Sequence, residues 1–125
     1  MPTIHEISDF DSLKTVCELG KPVVVKVYAT WCGSCKAISP KFESDAEAAD
    51  ESLTFAQMDF DNTQDIYEMF ATTQAKRDQP DAEEPKVPEA LLPTFYVLNG
   101  PKLVCFERGS PGLDRALAAA KELSS

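Results

Sequence analysis

Two cysteines separated by two residues, in Trp31-Cys32-Gly33-Ser34-Cys35-Lys36, carry the strongest chemical signal in this sequence. At the start of a helix that spacing puts both sulfurs on one face, close enough to form a disulfide. Cys32 would occupy the exposed first turn, where unpaired N–H groups and the positive end of the helix dipole favour a thiolate, with Cys35 one turn deeper. An order of reactivity follows: Cys32 attacks and Cys35 resolves. The competing chemistry is half of a zinc site. Zinc needs four ligands, and beyond this pair the chain offers only His5, Cys17 and Cys105, dispersed and without a second CxxC. No metal or other cofactor is therefore expected, since a dithiol carries two electrons by itself.

The flanking segments supply the elements that would hold such a pair. Val23 to Ala29 is dense in β-branched residues and almost wholly apolar, the pattern of a central strand covered on both faces. It hands over to a helix predicted from Cys32 to Ala49, in which Cys35, Ile38, Phe42, Ala46 and Ala49 recur at helical spacing and Pro40 adds a kink. Upstream, Thr3 to Ile7 reads as a short strand. A helix opening at Ser8 follows, with Phe10, Leu13, Val16 and Leu19 on one face and Gly20 as its stop. Downstream, Leu53 to Phe60 is a second buried strand, and Asp61-Asn62-Thr63 caps a helix from about Gln64 past Phe70. Leu91 to Leu98 and Leu103 to Glu107 form a hairpin around Asn99-Gly100-Pro101, and Gly112 to Leu123 closes the chain as an Ala-rich helix. This alternation predicts α/β architecture in one domain, 1–125, with a mixed central sheet of about five strands flanked by about four helices.

Between the last two βα units, Asp78 to Ala90 changes character, with Pro80, Pro85 and Pro88 and five acids against one lysine. It reads as a solvated loop insertion that either stays passive, shields a neighbouring groove or selects basic partners. Composition bounds the rest. Among 125 residues, 43% are hydrophobic, enough for a core, and 21 acids against 12 basic residues give a net charge of −9. Such a surface repels phosphate backbones and anionic headgroups, so neither nucleic acid nor membrane is an expected partner. No apolar run approaches the roughly 20 residues that span a bilayer. The N-terminus carries an acid where a secretory leader would be basic, so the expected location is cytoplasmic, where thiols stay reduced. Cys17 and Cys105 are expected to be buried as small hydrophobes, and His5 has no evident role.

The run Val23-Val24-Val25-Lys26-Val27-Tyr28-Ala29-Thr30-Trp31-Cys32-Gly33-Ser34-Cys35-Lys36, together with Pro40, Leu92-Pro93-Thr94-Phe95 and Gly109, resembles the thioredoxin family over essentially all of the chain except Asp78 to Ala90. The resemblance implies the thioredoxin fold, a cis peptide before Pro93, and Pro93 facing the disulfide. It also implies a docking groove formed by Trp31, Gly33, Ser34 and Leu92, with Gly109 beside Ser110, in which the Leu92 backbone pairs with an extended substrate segment. The activity implied is reduction of protein disulfides through a mixed disulfide, as part of electron transfer and redox balance, in a monomer recycled by a thioredoxin reductase.

Three positions depart from the family pattern. Lys26 stands where thioredoxins usually bury an Asp behind the second cysteine, and Gln57 where a lysine is common on the next strand. A buried lone ammonium is costly, so Lys26 would favour a nearby thiolate, lose its proton and act as a base, pair with an acid, or reach solvent. Ser34 replaces the usual proline between the cysteines and restores an N–H that can stabilise a thiolate. These departures leave a second class open: a docking module on the same fold whose redox chemistry has weakened. An oxidant or isomerase is a third reading, disfavoured by the missing leader.

Overall fold

A computed structural model describes residues 3–49 and 51–124; Met1, Pro2, Asp50 and Ser125 lie outside it. Along the chain run β1 (Ile4–Ile7), α1 (Phe10–Cys17), β2 (Val23–Tyr28), α2 (Gly33–Ala48), β3 (Thr54–Asp59), a 3₁₀ turn (Phe60–Asn62), α3 (Gln64–Asp78), β4 (Thr94–Asn99), β5 (Lys102–Arg108) and α4 (Gly112–Ser124). The strands form one sheet in the order β1-β3-β2-β4-β5. β1 and β2 pair parallel to β3, whereas β4 and β5 join antiparallel. The expected mixed α/β sheet is therefore present, with β2 at its centre.

The valine-rich stretch of β2 explains its position. Val23, Val25 and Val27 bury completely against Leu13 and Val16 of α1 and Ile66 and Phe70 of α3. Val24 buries on the opposite face with Phe42 and Ala46 of α2 and Leu113 and Ala116 of α4. Each such side chain contributes about 1.5–3 kcal/mol on leaving water, which only a strand covered on both faces can collect. Lys26 alternates onto the α2 side, directly behind the cysteine-bearing helix.

Element boundaries shift where local chemistry overrides periodicity. α1 starts on a capping box between Asp9 and Ser12 and ends at Cys17, short of Leu19. Phe10 and Leu19 are consequently exposed, and only Leu13 and Val16 of the expected apolar stripe enter the core. Asp59 caps the 3₁₀ turn, which the sequence reading did not foresee, while Thr63 at the head of α3 makes no side-chain cap bond. β4 begins at Thr94 instead of Leu91, since Pro93 has no N–H to give a ladder. In β5 an irregularity opposite Val97/Leu98 interrupts alternation, so Val104 and Cys105 both pack toward the α2/α4 side. α3 extends to Asp78 and takes the first residue of the expected loop. The remaining loop is largely exposed but pinned: Gln79 donates to the Lys86 carbonyl at 2.8 Å and accepts from its amide at 3.0 Å. Val87 packs against the core, and Arg108 donates to the Glu89 carbonyl at 3.1 Å.

Candidate active site

β2 ends at Tyr28, and the chain turns through Ala29 and Thr30 into α2, with the Cys32 amide donating to the Ala29 carbonyl at 3.1 Å. Cys32 is the N-cap of α2, and its sulfur accepts the Cys35 amide at 3.1 Å. The two cysteines are joined in a disulfide, their Cα atoms 5.3 Å apart. A backbone N–H and a helix N-terminus aimed at one sulfur are what a thiolate would need there. One expectation is corrected. Cys32 precedes the first turn instead of lying in it, and with the disulfide closed it is only 7% exposed, packed with Ala29 and flanked by Tyr28 and Leu92.

Around this disulfide the structure gathers most of the residues singled out in the sequence. Gly33 and Ser34 are exposed on the first turn of α2. The Leu92–Pro93 peptide is cis, as the family resemblance implied, and Leu92 packs on the cysteine cluster while Pro93 is buried. The Gly109 amide donates to the Pro93 carbonyl at 2.7 Å, so the end of β5 is tied to this segment. Gly109 adopts φ of +91°, a conformation that disfavours any side chain. Thr94 Oγ1 donates to the Leu91 carbonyl at 2.8 Å and fixes the approach from the other side. Trp31 is 66% exposed, which removes it from the core, and its Nε1 donates to Asp61 Oδ2 at 2.7 Å. Asp61 was not anticipated, because thirty residues and an intervening strand separate it from Trp31.

Beneath the cysteines, Lys26 is only 4% exposed. Its Nζ donates to Ser39 Oγ at 2.9 Å, and that hydroxyl donates to the Cys35 carbonyl at 2.8 Å. The rings of Phe42 and Tyr28 lie 5.1 and 5.5 Å from Nζ. Burial pushes the Lys26 pKa down, against the opposing charges of Glu43 and Glu6. Gln57, paired with Lys26 across β2 and β3, instead donates to Glu6 Oε1, while Tyr28 donates to Glu6 Oε2, both at 3.0 Å. Burial and the Glu6 hydrogen bond push Tyr28 up to about 12. Ser39 had a readable signal, a hydroxyl four residues after Cys35 on one helix; Glu6 and Glu43 had none.

The other candidates stay outside this network. Cys17 and Cys105 are free and half-buried, and burial raises both thiols, Cys105 to about 11, so both are protonated at neutral pH. Among the described residues no group of three or more His, Cys, Asp or Glu could hold a metal ion. None of their helices is long and apolar enough to cross a membrane.

The model of the family described as Thioredoxin matches residues 3–75. Thioredoxin-1 of Schizosaccharomyces pombe is 40% identical over 63 residues, 50% of this chain and 60% of that protein. A bifunctional thioredoxin reductase/thioredoxin of Mycobacterium leprae is 35% identical over 65 residues, 52% of this chain and 14% of that protein. The chain thus spans about 60% of the length of the first of these relatives. Among solved structures, a thioredoxin from Malassezia sympodialis superposes with a TM-score of 0.72 at 26% identity, covering 100% of this chain and 94% of the other. The family match runs through β1 to α3 and so takes in the strand, the helix and both cysteines of the site: the chain belongs to the thioredoxin family.

Proposed function

We propose that the protein is a thiol-disulfide oxidoreductase that reduces disulfides in other proteins through the Cys32–Cys35 couple. One observation carries the reading: Cys32 Sγ sits at the N-cap of α2 and accepts the Cys35 amide at 3.1 Å, so a thiolate formed there has both a donor and the helix dipole. In the reduced form Cys32 thiolate attacks one sulfur of a substrate disulfide. A Cys32–substrate S–S bond forms, and the other substrate sulfur leaves and takes a proton. Cys35 then loses its proton and attacks Cys32 Sγ, releasing the second substrate sulfur and closing the Cys32–Cys35 disulfide. Two electrons pass from the dithiol to the substrate, and no further cofactor is needed.

Trp31, Gly33, Ser34, Leu92 and Gly109 form the docking groove in this reading, with Lys26 and Pro93 tuning the site. Pro93 would offer no N–H on this side of the groove, and the backbone of Leu92, whose side chain packs on the cysteine cluster, would pair with an extended substrate segment. Recycling falls to a thioredoxin reductase, supported by the Mycobacterium leprae relative, whose name joins both activities in one protein. The half-buried free thiols Cys17 and Cys105 suit a reducing compartment such as the cytoplasm, where the protein would act as a monomer.

The test is a trap. Cys35→Ser, mixed with a disulfide-bearing protein, should accumulate a covalent adduct through Cys32 that dithiol releases, and Cys32→Ser should accumulate none. Absence of an adduct from Cys35→Ser, with binding to the substrate retained, would refute the reductase and leave a docking module.

A further inference from the structure

The side of the sheet behind the cysteines carries a buried cation that the disulfide chemistry described above does not itself require. Lys26 Nζ has one hydrogen-bond acceptor, Ser39 Oγ at 2.9 Å, and two aromatic faces at 5.1 and 5.5 Å. Rings in that position attract an ammonium and give a neutral amine little, which together with Glu43 and Glu6 opposes the burial that pushes the Lys26 pKa down. The titratable and charged groups facing it are Glu6 from β1, Tyr28 from β2 and Glu43 from α2, and Ser39 links it to the backbone carbonyl of Cys35 on α2. β3 contributes uncharged Gln57 and also Asp59, whose charge reaches Tyr28, while β4 places Phe95 across the ladder. Glu6 is not free to swing away, because Tyr28 and Gln57 each hold one of its oxygens at 3.0 Å.

We propose that Lys26 and Ser39 are positioning residues for Cys35: the buried ammonium, kept charged by the rings and by Glu6, favours the Cys35 thiolate needed to resolve the mixed disulfide, and Ser39 locks the Cys35 backbone to it. The proposal rests on the reductase reading. When the mixed disulfide resolves, the Cys35 proton goes to solvent, since Lys26 already holds its own, and the thiolate displaces the substrate sulfur from Cys32. Ser39 can serve both partners at once. Its single proton goes to the Cys35 carbonyl at 2.8 Å, leaving a lone pair for Lys26. The ammonium is thereby held against the first turn of α2 at the residue that must ionise.

The experiment loads Cys32 of the full chain with a chromophoric aromatic thiol as a mixed disulfide and follows its release by Cys35 between pH 5 and 9. Lys26→Met is expected to move the half-maximal pH up by about one unit, within the range an opposite charge nearby produces, and so slow release about tenfold at neutral pH. Ser39→Ala should move it the same way by less, and Ser39→Thr, which keeps the hydroxyl, should restore it. Should Lys26→Met fail to fold, the two Ser39 variants carry the test alone. Unmoved pH profiles in Lys26→Met and Ser39→Ala would overturn the proposal while leaving the reductase intact. A slower rate with no change of midpoint would also overturn it, since it would mark Lys26 as a neutral base. A wild-type protein that forms no mixed disulfide at all would instead sink the reading beneath it.

Discussion

Replacing Asp61 by Ala should weaken docking of protein substrates while leaving the cysteine chemistry untouched. Trp31 is 66% exposed, and its one polar anchor is the 2.7 Å bond from Nε1 to Asp61 Oδ2. Asp61 is itself placed from behind, its amide donating to Asp59 Oδ1 at 3.1 Å, so loss of its carboxylate frees the indole without dismantling the turn. A hydrogen bond of this kind contributes about 0.5–1.5 kcal/mol net, and solvent at both partners puts this one near 1 kcal/mol, or about fivefold in the population of the held indole. kcat/KM for a folded disulfide protein should therefore fall about fivefold, and Asp61→Asn, which keeps an acceptor but no charge, should fall less. A small disulfide that never reaches the indole should be reduced at the wild-type rate, and the melting temperature should fall by no more than about 4 °C. The chain has one tryptophan, so its emission reports the released ring without interference. Equal losses on protein and small disulfides would refute the reasoning, because Asp61 would then act on the cysteines; an altered emission with unchanged kinetics would show that the indole orientation is irrelevant to docking.

Other consequences are equally concrete. Folded Cys105 keeps its proton to about pH 11 against a usual 9.0, so between those values the native state binds more protons than the unfolded chain and stability must fall as pH rises. Denaturant midpoints should decline above pH 9, and Cys105→Ala should make that decline shallower. Phe42 is fully buried, with its ring centroid 5.6 Å from that of Phe55 and 6.0 Å from that of Phe95, so Phe42→Ala should cost about 3–5 kcal/mol in urea unfolding. A Cβ at Gly112 would lie 2.7 Å from the Cβ of Glu107 and 3.1 Å from its carbonyl oxygen, which is backbone and cannot yield cheaply. Gly112→Ala should thus lose about 1–3 kcal/mol although α4 would gain a better helix former. Gln79→Ala removes both bonds to Lys86, and faster exchange of the Lys86 amide with no change in turnover is expected.

How much of this could be read from the residues depends on the range of the interactions. The fold was legible because β2 and its neighbours bury apolar side chains on both faces, a signal carried residue by residue. The cysteine pair, its helix N-terminus and the groove around Pro93 were legible for a different reason: spacing along one turn and a family pattern place them. What escaped was set by contacts across the sheet. Neither the Trp31–Asp61 bond nor the Glu6 link to Tyr28 and Gln57 has any local signature, since the first joins the turns that follow β2 and β3 and the second joins three strands, all brought side by side only by the sheet register. Lys26 stands out as an anomaly in the sequence, yet its burial and its hydrogen-bond partner depend on Ser39, whose hydroxyl is ordinary in a helix until its partners are known. The early end of α1 likewise followed from local capping and a glycine at φ of +81°, which outweighed an apolar stripe continuing to Leu19.

The central claim is that Cys32 and Cys35 form a reversible two-electron couple on a site with a cation behind it. Equilibrating the whole protein in graded thiol buffers, quenching with a mass-shifting alkylator and counting modified Cys32 and Cys35 measures that directly. The account predicts a single two-electron transition lying between the potentials of thioredoxin, about −270 mV, and protein disulfide isomerase, about −180 mV, because Lys26 and the Cys35 amide at Cys32 Sγ both favour the reduced, ionised state. A pair that stays locked in one redox state across the whole buffer series would contradict it.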